Sequence, residues 1–402
     1  KGHPRDFAFV PNPNNYISVL ADTLARGFNI FGGAWVASPG GAMIELVTID
    51  WLRQIMGLPE GAGGIFVSGG SMANLTGLLV ARHIKLNDHI DKAVIYLSDQ
   101  IHASIAKDLR IIGFAPHQIH IIESDENFRL PVEAVRRAID TDRAAGLRPF
   151  MIAASAGTTN TGTADPLNAL ADVCEAEDLW FHVDGAYGAA AMLSEKGKAE
   201  LAGLERVHSM AFDPHKWLFQ SFEMGCTLVR EARWLHDTFT VHAEYLAENE
   251  DPTEQEVNFY NMGVQMTRSL RALKLWMSVK YFGMDAFREA VAWGIELAEI
   301  AEAALRKSSC WEIISPAHLG VVAFRYVVHG ASEAQLDTLN LHIAEAIRAD
   351  GFAVIFTTTL KGKTALRMST INPRTTEADI RETIQLLERL GQAAEANSQR
   401  KK

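Results

Sequence analysis

The sequence is poor in cysteine and has no long run of hydrophobic residues. Its three cysteines, Cys174, Cys226 and Cys310, lie far apart and form no C-x-x-C pair. This excludes a disulfide framework or a zinc ribbon and favours a reducing compartment, and we expect no metal site. No apolar stretch approaches the roughly 20 residues needed to cross a bilayer. We therefore predict a cytoplasmic protein that does not associate with a membrane.

Positive charge is also scarce. The chain has 38 Lys and Arg against 49 Asp and Glu, a net charge of −11, and no cluster of basic residues. This balance argues against a nucleic-acid partner. A hydrophobic fraction of 48% is typical of a folded globular protein. The length of 402 residues exceeds one typical domain, which favours two domains.

Short apolar segments alternate with helical patterns through the first part of the chain. The predicted strands are residues 64–68, 93–97, 119–122, 150–154, 180–184, 207–212 and 225–230. Such alternation predicts an α/β fold with a mainly parallel sheet that is buried on both faces. A helical region broken near Gly283 then leads to a second, smaller α/β unit. The predicted domains are an N-terminal segment (1–60), a large domain (61–282), a small C-terminal domain (283–395) and a polar tail (396–402).

Three stretches carry residues suited to one kind of chemistry. Lys216 lies in Asp-Pro-His-Lys-Trp, directly after the apolar run 207–212. Such an ammonium group is rarely buried unless it is paired or neutralised, although its stem could pack while its head stays in water. Asp184 ends a second apolar strand, and a glycine turn at 68–71 opens a helix. A lysine, a carboxylate for a pyridinium nitrogen and a phosphate cradle are the groups that pyridoxal phosphate requires.

The glycine turn Ser68-Gly69-Gly70-Ser71 allows two interpretations. The backbone can come close to a phosphate there, and the following helix offers free N–H groups and a favourable dipole. It could also be an ordinary strand-to-helix turn in which Ser71 caps the helix. The turn is not G-x-G-x-x-G, and no acidic residue ends the next strand, so NAD is not expected.

Together with Ser-Asp-Gln-Ile-His at 98–102, these motifs occur in one order along the chain. In this combination the chain resembles the group II pyridoxal-phosphate-dependent amino acid decarboxylases, and within them the aromatic-L-amino-acid (dopa, tyrosine, tryptophan) decarboxylase-like family. The resemblance runs from about His3 to about Leu390. It implies fold type I (aspartate aminotransferase-like), with a large mainly parallel sheet domain and a smaller C-terminal α/β domain. It also implies a homodimer with the active site at the interface, to which residues 1–60 contribute.

The resemblance assigns the cofactor contacts. Lys216 would form a Schiff base with pyridoxal 5'-phosphate, and Asp184 would pair with the pyridine nitrogen. The remaining implied contacts are Gly70 and Ser71 at the phosphate, His102 and Ala186 against the ring, Thr159 at the phenolic oxygen or the substrate carboxylate, and His215 at the phosphate or bracing the lysine. Taken without the resemblance, His102 could be a structural histidine, Asp184 a turn carboxylate and Thr159 a turn hydroxyl.

Asp213 departs from the pattern of the family. Animal relatives usually have asparagine at this position, near the cofactor phosphate. A carboxylate there would be repelled unless it is protonated or turned away. We include Asp213 among the cofactor-binding residues.

Tyr245 bears on the reaction type. It lies in an acidic segment, 241–256, whose composition predicts a mobile surface loop. By resemblance this loop closes over the site and its tyrosine protonates the substrate carbon, whereas phenylalanine marks relatives that form aldehydes. The predicted catalytic residues are therefore Lys216, Tyr245 and His102, and the predicted products are an amine and CO2.

The resemblance also implies a set of substrate-binding residues: Asn12, Phe31, Gly33, Thr267 and Arg268. Two of them differ from the animal pattern, which has threonine for Asn12 and phenylalanine for Gly33. The implied substrate is an aromatic L-amino acid. The alternatives are a non-aromatic substrate, an aldehyde-forming decarboxylase, an aminotransferase or carbon–sulfur lyase of the same fold type, and a non-catalytic relative. Relatives carry a helical segment before the match to His3, so we expect a truncated or cleaved N-terminus.

Overall fold

The computed structural model describes residues 2–10, 13–241 and 256–400, with side chains described up to residue 396. Asn12 and Tyr245, both predicted site residues, lie outside the described residues. Contacts divide the chain into two compact units. The larger comprises Asn14–Ala156 and Ala164–Phe287, and the smaller comprises Lys1–Pro13, Gly157–Thr163 and Arg288–Lys402. Most of the predicted N-terminal segment thus groups with the larger unit, and its part in a dimer stays a prediction.

A sheet of seven strands forms the centre of the larger unit. The strands are β1 (Gly63–Val67), β2 (Ala93–Ser98), β3 (Ile119–Ile122), β4 (Arg148–Ser155), β5 (Trp180–Asp184), β6 (Ser209–Phe212) and β7 (Gly225–Val229). Their order is β1-β7-β6-β5-β4-β2-β3, and β7 alone runs against its neighbours in this sheet. Every residue of β1, β2, β5, β6 and β7 is buried. The predicted mainly parallel sheet, covered on both faces, is confirmed.

Helices surround this sheet. They are α1 (Tyr16–Gly27), α2 (Pro39–Ile55), α3 (Gly70–Leu86), α4 (Ser104–Ile111), α5 (Val132–Ala144), α6 (Leu167–Ala176), α7 (Glu195–Glu200), α8 (Pro214–Trp217), α9 (Arg233–Phe239) and α10 (Ala272–Phe282). α2 begins at Pro39, four residues before the first large apolar side chains of the helix at Met43 and Ile44. Proline suits the first turn of a helix, because its fixed φ is helical and it lacks an N–H that would need a partner there.

The smaller unit contains a second sheet, which is antiparallel throughout. Its elements are α11 (Met284–Leu305, which begins in the larger unit), β8 (Trp311–His318), β9 (Val321–Tyr326), α12 (Glu333–Asp350), β10 (Phe356–Leu360), β11 (Lys363–Ser369) and α13 (Glu377–Arg400), with strand order β10-β11-β9-β8. Ser332 and Gln335 form a capping box at the start of α12, and Gly351 ends that helix at a φ of 83°. In the described part of the chain, no helix has the length and hydrophobicity of a membrane span.

Candidate active site

The glycine turn forms a close-fitting cradle at the start of α3. A Cβ atom on Gly70 would lie 2.7 Å from Oδ2 of Asp213, and one on Gly69 would lie 3.0 Å from Cε1 of His215. Gly225, on β7, comes as close, since its Cβ would lie 2.6 Å from the backbone of Gly69. A side chain at Gly225 would meet backbone, and one at Gly70 or Gly69 would press on Asp213 or His215, so the turn brings bare backbone to the edge of the sheet.

The start of α3 is open to an anion. The helix is 17 residues long, its N-cap is Gly69, and no side chain caps it within the described residues. Ser71 is therefore not the N-cap. It lies in the first turn of the helix and is exposed. The free N–H groups and the helix dipole favour a phosphate here, and the Ser71 hydroxyl can add a hydrogen bond.

Lys216 is held beside this cradle by the short helix α8. Trp217 is fully buried and stacks on Tyr187, with 5.2 Å between the ring centroids, which anchors the helix. The Lys216 side chain is 20% exposed, and its Nζ lies 3.0 Å from Oδ2 of Asp213. The oxygen that contacts the lysine amine is thus the one that adjoins Gly70. The predicted lysine and phosphate cradle lie next to each other.

Asp213 is the carboxylate at the centre of this arrangement. It follows β6 directly and is 1% exposed. Its Oδ2 lies 3.6 Å from Nε2 of His215 as well as 3.0 Å from the lysine amine. Its Oδ1 has no hydrogen-bond partner among the described residues. The carboxylate is therefore turned toward the cradle and is balanced by Lys216.

His215 is a neutral imidazole that braces the loop after α8. Its Nδ1 accepts a hydrogen bond from the backbone N–H of Met224, at 3.0 Å. Burial lowers the pKa of His215, and Lys216 lowers it further, against the opposing charge of Asp213. Because Nδ1 accepts, the neutral ring carries its proton on Nε2, which is the atom that faces Asp213.

Asp184 lies at the same edge of the sheet as Lys216. It ends β5, which pairs in parallel with β6, so both strands deliver their following residues to one side. Asp184 is buried, and its Oδ1 accepts a hydrogen bond from the N–H of Ala186 at 3.1 Å. Ala186 is itself buried and lies 3.2 Å from the Cβ position of Gly70. The structure thus brings Asp184, Ala186, Gly70 and Lys216 together.

A second histidine supports β5 from inside. His182 is fully buried, with Nδ1 2.8 Å from Oγ of Ser209 and Nε2 3.0 Å from Oδ1 of Asn74. Burial lowers the pKa of His182 to about 4, against the opposing effect of Asp184. It is therefore uncharged at neutral pH and serves as a structural link between β5, β6 and α3.

His102 and Thr159 lie on different units. His102 precedes α4, is exposed, and has its Nδ1 2.9 Å from Oγ of Ser104, which orients the ring. Thr159 belongs to the smaller unit, where its carbonyl oxygen accepts a hydrogen bond from Nη1 of Arg367 at 2.7 Å. The predicted contacts of both residues with the cofactor stay predictions.

Four of the five predicted substrate-binding residues, Phe31, Gly33, Thr267 and Arg268, lie in the larger unit on loops that meet. Phe31 forms a β-bridge with Ser269, next to Arg268, and Thr267 is exposed. A Cβ atom on Gly33 would lie 2.5 Å from the ring of Phe31 and 2.9 Å from the carbonyl oxygen of Met266. No side chain fits at Gly33 in this loop geometry, because the Phe31 ring already fills the space.

Arg268 lies beneath this loop and is buried. Its guanidinium donates to both carboxylate oxygens of Glu45, to the carbonyl of Gly32 at 2.6 Å and to the carbonyl of Phe66 at 2.7 Å. Arg268 was predicted at the edge of the site, but these contacts make it a brace between the loop and β1. The sequence interpretation missed Glu45. Its one signal is spacing, since Glu45 falls on the buried face of α2 with Ala42, Ile49 and Leu52.

The residues at this edge fit pyridoxal phosphate. The cradle that a Cβ would fill, the amine of Lys216 and the buried carboxylate of Asp184 are groups of the kinds that could hold its phosphate, aldehyde and ring nitrogen. At the same edge, Oδ1 of Asp213 is a buried polar atom that has no hydrogen-bond partner among the described residues.

Comparisons with known proteins agree with this arrangement. A family model described as the pyridoxal-dependent decarboxylase conserved domain matches residues 1–327. The chain is 50% identical over 379 residues to an aromatic-L-amino-acid decarboxylase of Bacillus atrophaeus, which covers 94% of this chain and 79% of that protein. It is 30% identical over 391 residues to a phenylacetaldehyde synthase of Petunia hybrida, covering 92% of this chain and 77% of the relative.

A solved structure is also similar throughout. The crystal structure of Oryza sativa TDC with PLP and tryptamine superposes with a TM-score of 0.92 at 28% identity, covering 97% of this chain and 84% of that one. With the match of the family model to most of the chain, this similarity confirms the predicted family, fold type and cofactor. The chain belongs to the pyridoxal-dependent decarboxylase family and is a carboxy-lyase that uses pyridoxal phosphate.

Proposed function

We propose that this protein converts an aromatic L-amino acid to the corresponding amine and CO2, with pyridoxal phosphate held by Lys216. The strongest support for this assignment of residues is the position of the Asp213 carboxylate, which contacts both Lys216 and the glycine cradle. One of its oxygens contacts the Lys216 amine and adjoins Gly70 in the cradle, at the sheet edge where Asp184 ends β5. The names of similar proteins, among them the aromatic-L-amino-acid decarboxylase of Bacillus atrophaeus, support the substrate class.

The cofactor, when bound, supplies an electron sink that accepts the electron pair of the bond lost to CO2. In our proposal the N–H groups at Gly70 and the hydroxyl of Ser71 bind its phosphate. Lys216 would hold its aldehyde carbon, and Asp184 would keep a proton on its ring nitrogen. His102 and Ala186 would pack against its ring.

The side chains around Lys216 also hold its amine in position. In the ligand-free protein the amine lies 3.0 Å from Oδ2 of Asp213; for covalent attachment it would give up this contact and pass a proton to solvent, and the aldehyde oxygen would leave as water. His215 keeps the Asp213 carboxylate in place, because its own Nδ1 is tied to Met224. We propose that Tyr245 then donates the proton that the substrate carbon needs after loss of CO2.

The geometry of Arg268 favours an uncharged substrate side chain. An acidic substrate needs a cation to bind its second carboxylate, and Arg268 is the one charged residue among the predicted substrate-binding residues. All of its described hydrogen bonds go to Glu45 and to the carbonyls of Gly32 and Phe66. Withdrawing it would break a buried ion pair, which is costly. An aromatic side chain makes no such demand.

The experiment that tests this proposal measures CO2 and identifies the second product across a panel of amino acids. We expect amines from phenylalanine, tyrosine, tryptophan or dopa, and at least tenfold less CO2 from glutamate or aspartate. A keto acid as main product would instead show an aminotransferase, and an aldehyde would show the activity for which the Petunia hybrida relative is named.

The role of Tyr245 has its own test. Replacement of Tyr245 by Phe removes the acidic hydroxyl and keeps the ring, so we expect the amine to fall and aldehyde to appear among the products of the purified variant. If the variant forms amine as cleanly as the parent protein, the proton comes from another group. The Tyr260→Phe variant serves as the control for loss of a tyrosine hydroxyl, because Tyr260 is a buried structural residue.

We also propose a homodimer with the active site at its interface, in the cytoplasm. Large apolar side chains are exposed on or just after α1, α2 and α10, and both α1 and α2 pack against α10. They are Tyr16, Leu24, Phe28, Met43, Tyr281 and Phe282. An exposed apolar surface of this kind is typical of an interface between subunits. Light scattering on the purified protein should give twice the chain mass, and a monomer at micromolar concentration would exclude a stable dimer.

A further inference from the structure

Lys274 is a buried lysine that none of these roles uses. It lies on the buried face of α10 and is 1% exposed. Its amine donates to the carbonyls of Ser221 and Glu223, each at 2.9 Å, and lies 3.8 Å from Oδ1 of Asp22. A lysine is rarely buried this completely, because its ammonium group loses its water and its long side chain loses rotamer freedom. Both of these hydrogen bonds go to one loop, residues 218–224, which joins α8 to β7.

The same side of α10 contacts loop 218–224 at two further positions. Arg271, the N-cap of α10, donates from Nη2 to Oε1 of Glu223 at 2.8 Å. Oγ of Ser278 lies 3.2 Å from Oε1 of Gln220. Positions 271, 274 and 278 are spaced by three and four residues, so they share one side of the helix. α10 therefore holds the loop from Gln220 to Glu223.

Loop 218–224 also returns to α8, the helix that carries Lys216. The N–H of Phe219 donates to the carbonyl of Lys216 at 3.4 Å. His215 and Met224 exchange two hydrogen bonds, since the N–H of Met224 donates to Nδ1 at 3.0 Å and the N–H of His215 donates to the carbonyl of Met224 at 3.3 Å. Nε2 of His215 lies 3.6 Å from Oδ2 of Asp213, the oxygen that contacts the Lys216 amine. Contacts thus run without a break from α10 to that amine.

We propose that Lys274 is a positioning residue for the cofactor site, acting on the Lys216 amine through loop 218–224 and His215. This inference rests on the proposed attachment of pyridoxal phosphate at Lys216. Among the described residues the Lys216 amine has one contact, with Asp213, so its position depends on how firmly α8 and loop 218–224 are held. An amine that is already in place forms its bond at a smaller cost in entropy.

A purely structural role for Lys274 predicts a different result. General loosening of the site would weaken every ligand of the pocket, whether or not the ligand bonds to Lys216. A positioning role affects only a ligand that condenses with that lysine. Pyridoxal 5'-phosphate and 4'-deoxypyridoxine 5'-phosphate separate the two roles, because the second compound carries a methyl group in place of the aldehyde and forms no covalent bond.

The test is a fluorescence titration of the ligand-free protein with each compound, in the parent and in Lys274→Met. Methionine is similar in length but has no donor for the two carbonyls. We expect the variant to bind pyridoxal 5'-phosphate roughly fivefold to fiftyfold more weakly, and the deoxy compound within about twofold of the parent. Lys280→Met is the matched control, because Lys280 is an exposed lysine of α10 that lies over the rings of Trp51 and Trp276. It should bind both compounds as the parent does.

A second measurement repeats the substitution in the Lys216→Ala protein. With no amine left to position, Lys274→Met should change the remaining affinity for pyridoxal 5'-phosphate by no more than about twofold. If Lys274→Met does not fold, as judged by circular dichroism, Lys274→Gln replaces it. Its amide is one atom shorter than the lysine side chain and keeps a polar group at the site, and it should show the same selective loss.

The outcomes separate this inference from the proposed function. Equal weakening for both compounds, or parental affinity for both, in a folded Lys274 variant would overturn the role of Lys274. An undiminished effect of Lys274→Met in the Lys216→Ala protein would overturn it too. If Lys216→Ala binds pyridoxal 5'-phosphate as tightly as the parent, the proposed attachment at Lys216 is wrong as well. Weak binding by Lys216→Ala beside parental binding by Lys274→Met would remove the present inference alone.

Discussion

Two buried ion pairs of the larger unit, Glu45–Arg268 and Asp213–Lys216, differ in how completely their atoms are satisfied. Glu45 and Arg268 meet through two hydrogen bonds, of 2.6 and 2.9 Å, and both side chains are buried. Glu45 also accepts from the N–H of Phe66 at 3.1 Å. Asp213 and Lys216 share a single contact of 3.0 Å, the amine is partly exposed, and Oδ1 of Asp213 lacks a partner among the described residues.

The difference separates a structural pair from a reactive one. An arginine keeps its charge under all ordinary conditions, and its planar donors are matched here by fixed acceptors, so the pair holds a loop and a strand together. A lysine can lose its proton, and its single contact with an aspartate can be exchanged for a ligand. Burial differs as well, since the Lys216 side chain is 20% exposed, but the number of satisfied donors and acceptors separates the two pairs more clearly.

The largest effect is expected from Lys216→Ala. It removes the amine that would hold the cofactor, so we expect CO2 release to fall by roughly 10³-fold or more. The thermal midpoint of the ligand-free variant should stay close to that of the parent, because the amine makes only one described contact. Activity within tenfold of the parent would show that Lys216 is not the attachment site.

The second-largest effect is expected from Glu45→Gln, and it is an effect on stability. The neutral amide cannot balance the buried guanidinium of Arg268, and we expect a loss of about 3–5 kcal/mol in the free energy of unfolding by urea. Asp50→Asn on the same helix is the control, since its pair with Arg53 is half-exposed and should contribute less than about 1 kcal/mol. Similar losses of unfolding free energy in the two variants would show that the buried Glu45–Arg268 pair contributes no more to stability than the half-exposed Asp50–Arg53 pair.

Asp108 extends the comparison to a buried acid of α4 that forms no ion pair with any of the described residues. Its pKa of about 7 lies above the usual value of 3.8, so the folded state binds its proton more tightly and stability falls as pH rises from about 4 to 7. Asp108→Asn removes this dependence. In the ligand-free protein we expect the free energy of unfolding of the variant, relative to that of the parent, to rise by roughly 1–3 kcal/mol from pH 5 to pH 8. Urea unfolding at the two pH values measures this change. If the difference in unfolding free energy between the variant and the parent is the same at pH 5 and pH 8, the pKa of Asp108 is not raised to about 7.

The smallest effect concerns Asp213→Asn. In the parent protein the carboxylate adjoins the cradle and repels a phosphate, whereas asparagine is neutral and similar in size. We expect the variant to bind 4'-deoxypyridoxine 5'-phosphate, which cannot condense with a lysine, roughly threefold to tenfold more tightly, or about 1 kcal/mol. Fluorescence titration measures this affinity. Weaker binding would show that Asp213 serves mainly to position Lys216 and His215.

The same two pairs show what the sequence could predict. Asp213 and Lys216 are three residues apart in one motif, so a local pattern was enough to identify them. Glu45 and Arg268 are separated by 223 positions, and nothing local joins them. The seven strands of the larger sheet were predicted because each is a short apolar run between turns.

Other elements could not be predicted, for physical reasons. β8 was missed because it contains Pro316, has two irregularities in its pairing and is only partly buried, so it lacks an apolar pattern. The apolar run begins at Phe352, but β10 begins at Phe356, because Val354 pairs instead with the N-terminal residues Arg5 and Phe7. Such pairing between distant segments leaves no trace in local spacing.

The most direct test of the central claim is to find which lysine holds the cofactor. The loaded protein is reduced with borohydride, digested, and its peptides are analysed by mass spectrometry. Lys274 is the internal control, since it is also buried and burial lowers its pKa to about 8, but its amine donates to the carbonyls of Ser221 and Glu223, each at 2.9 Å. We predict the pyridoxyl group on Lys216. Its presence on Lys274 or on another lysine, with Lys216 unmodified, would contradict the account.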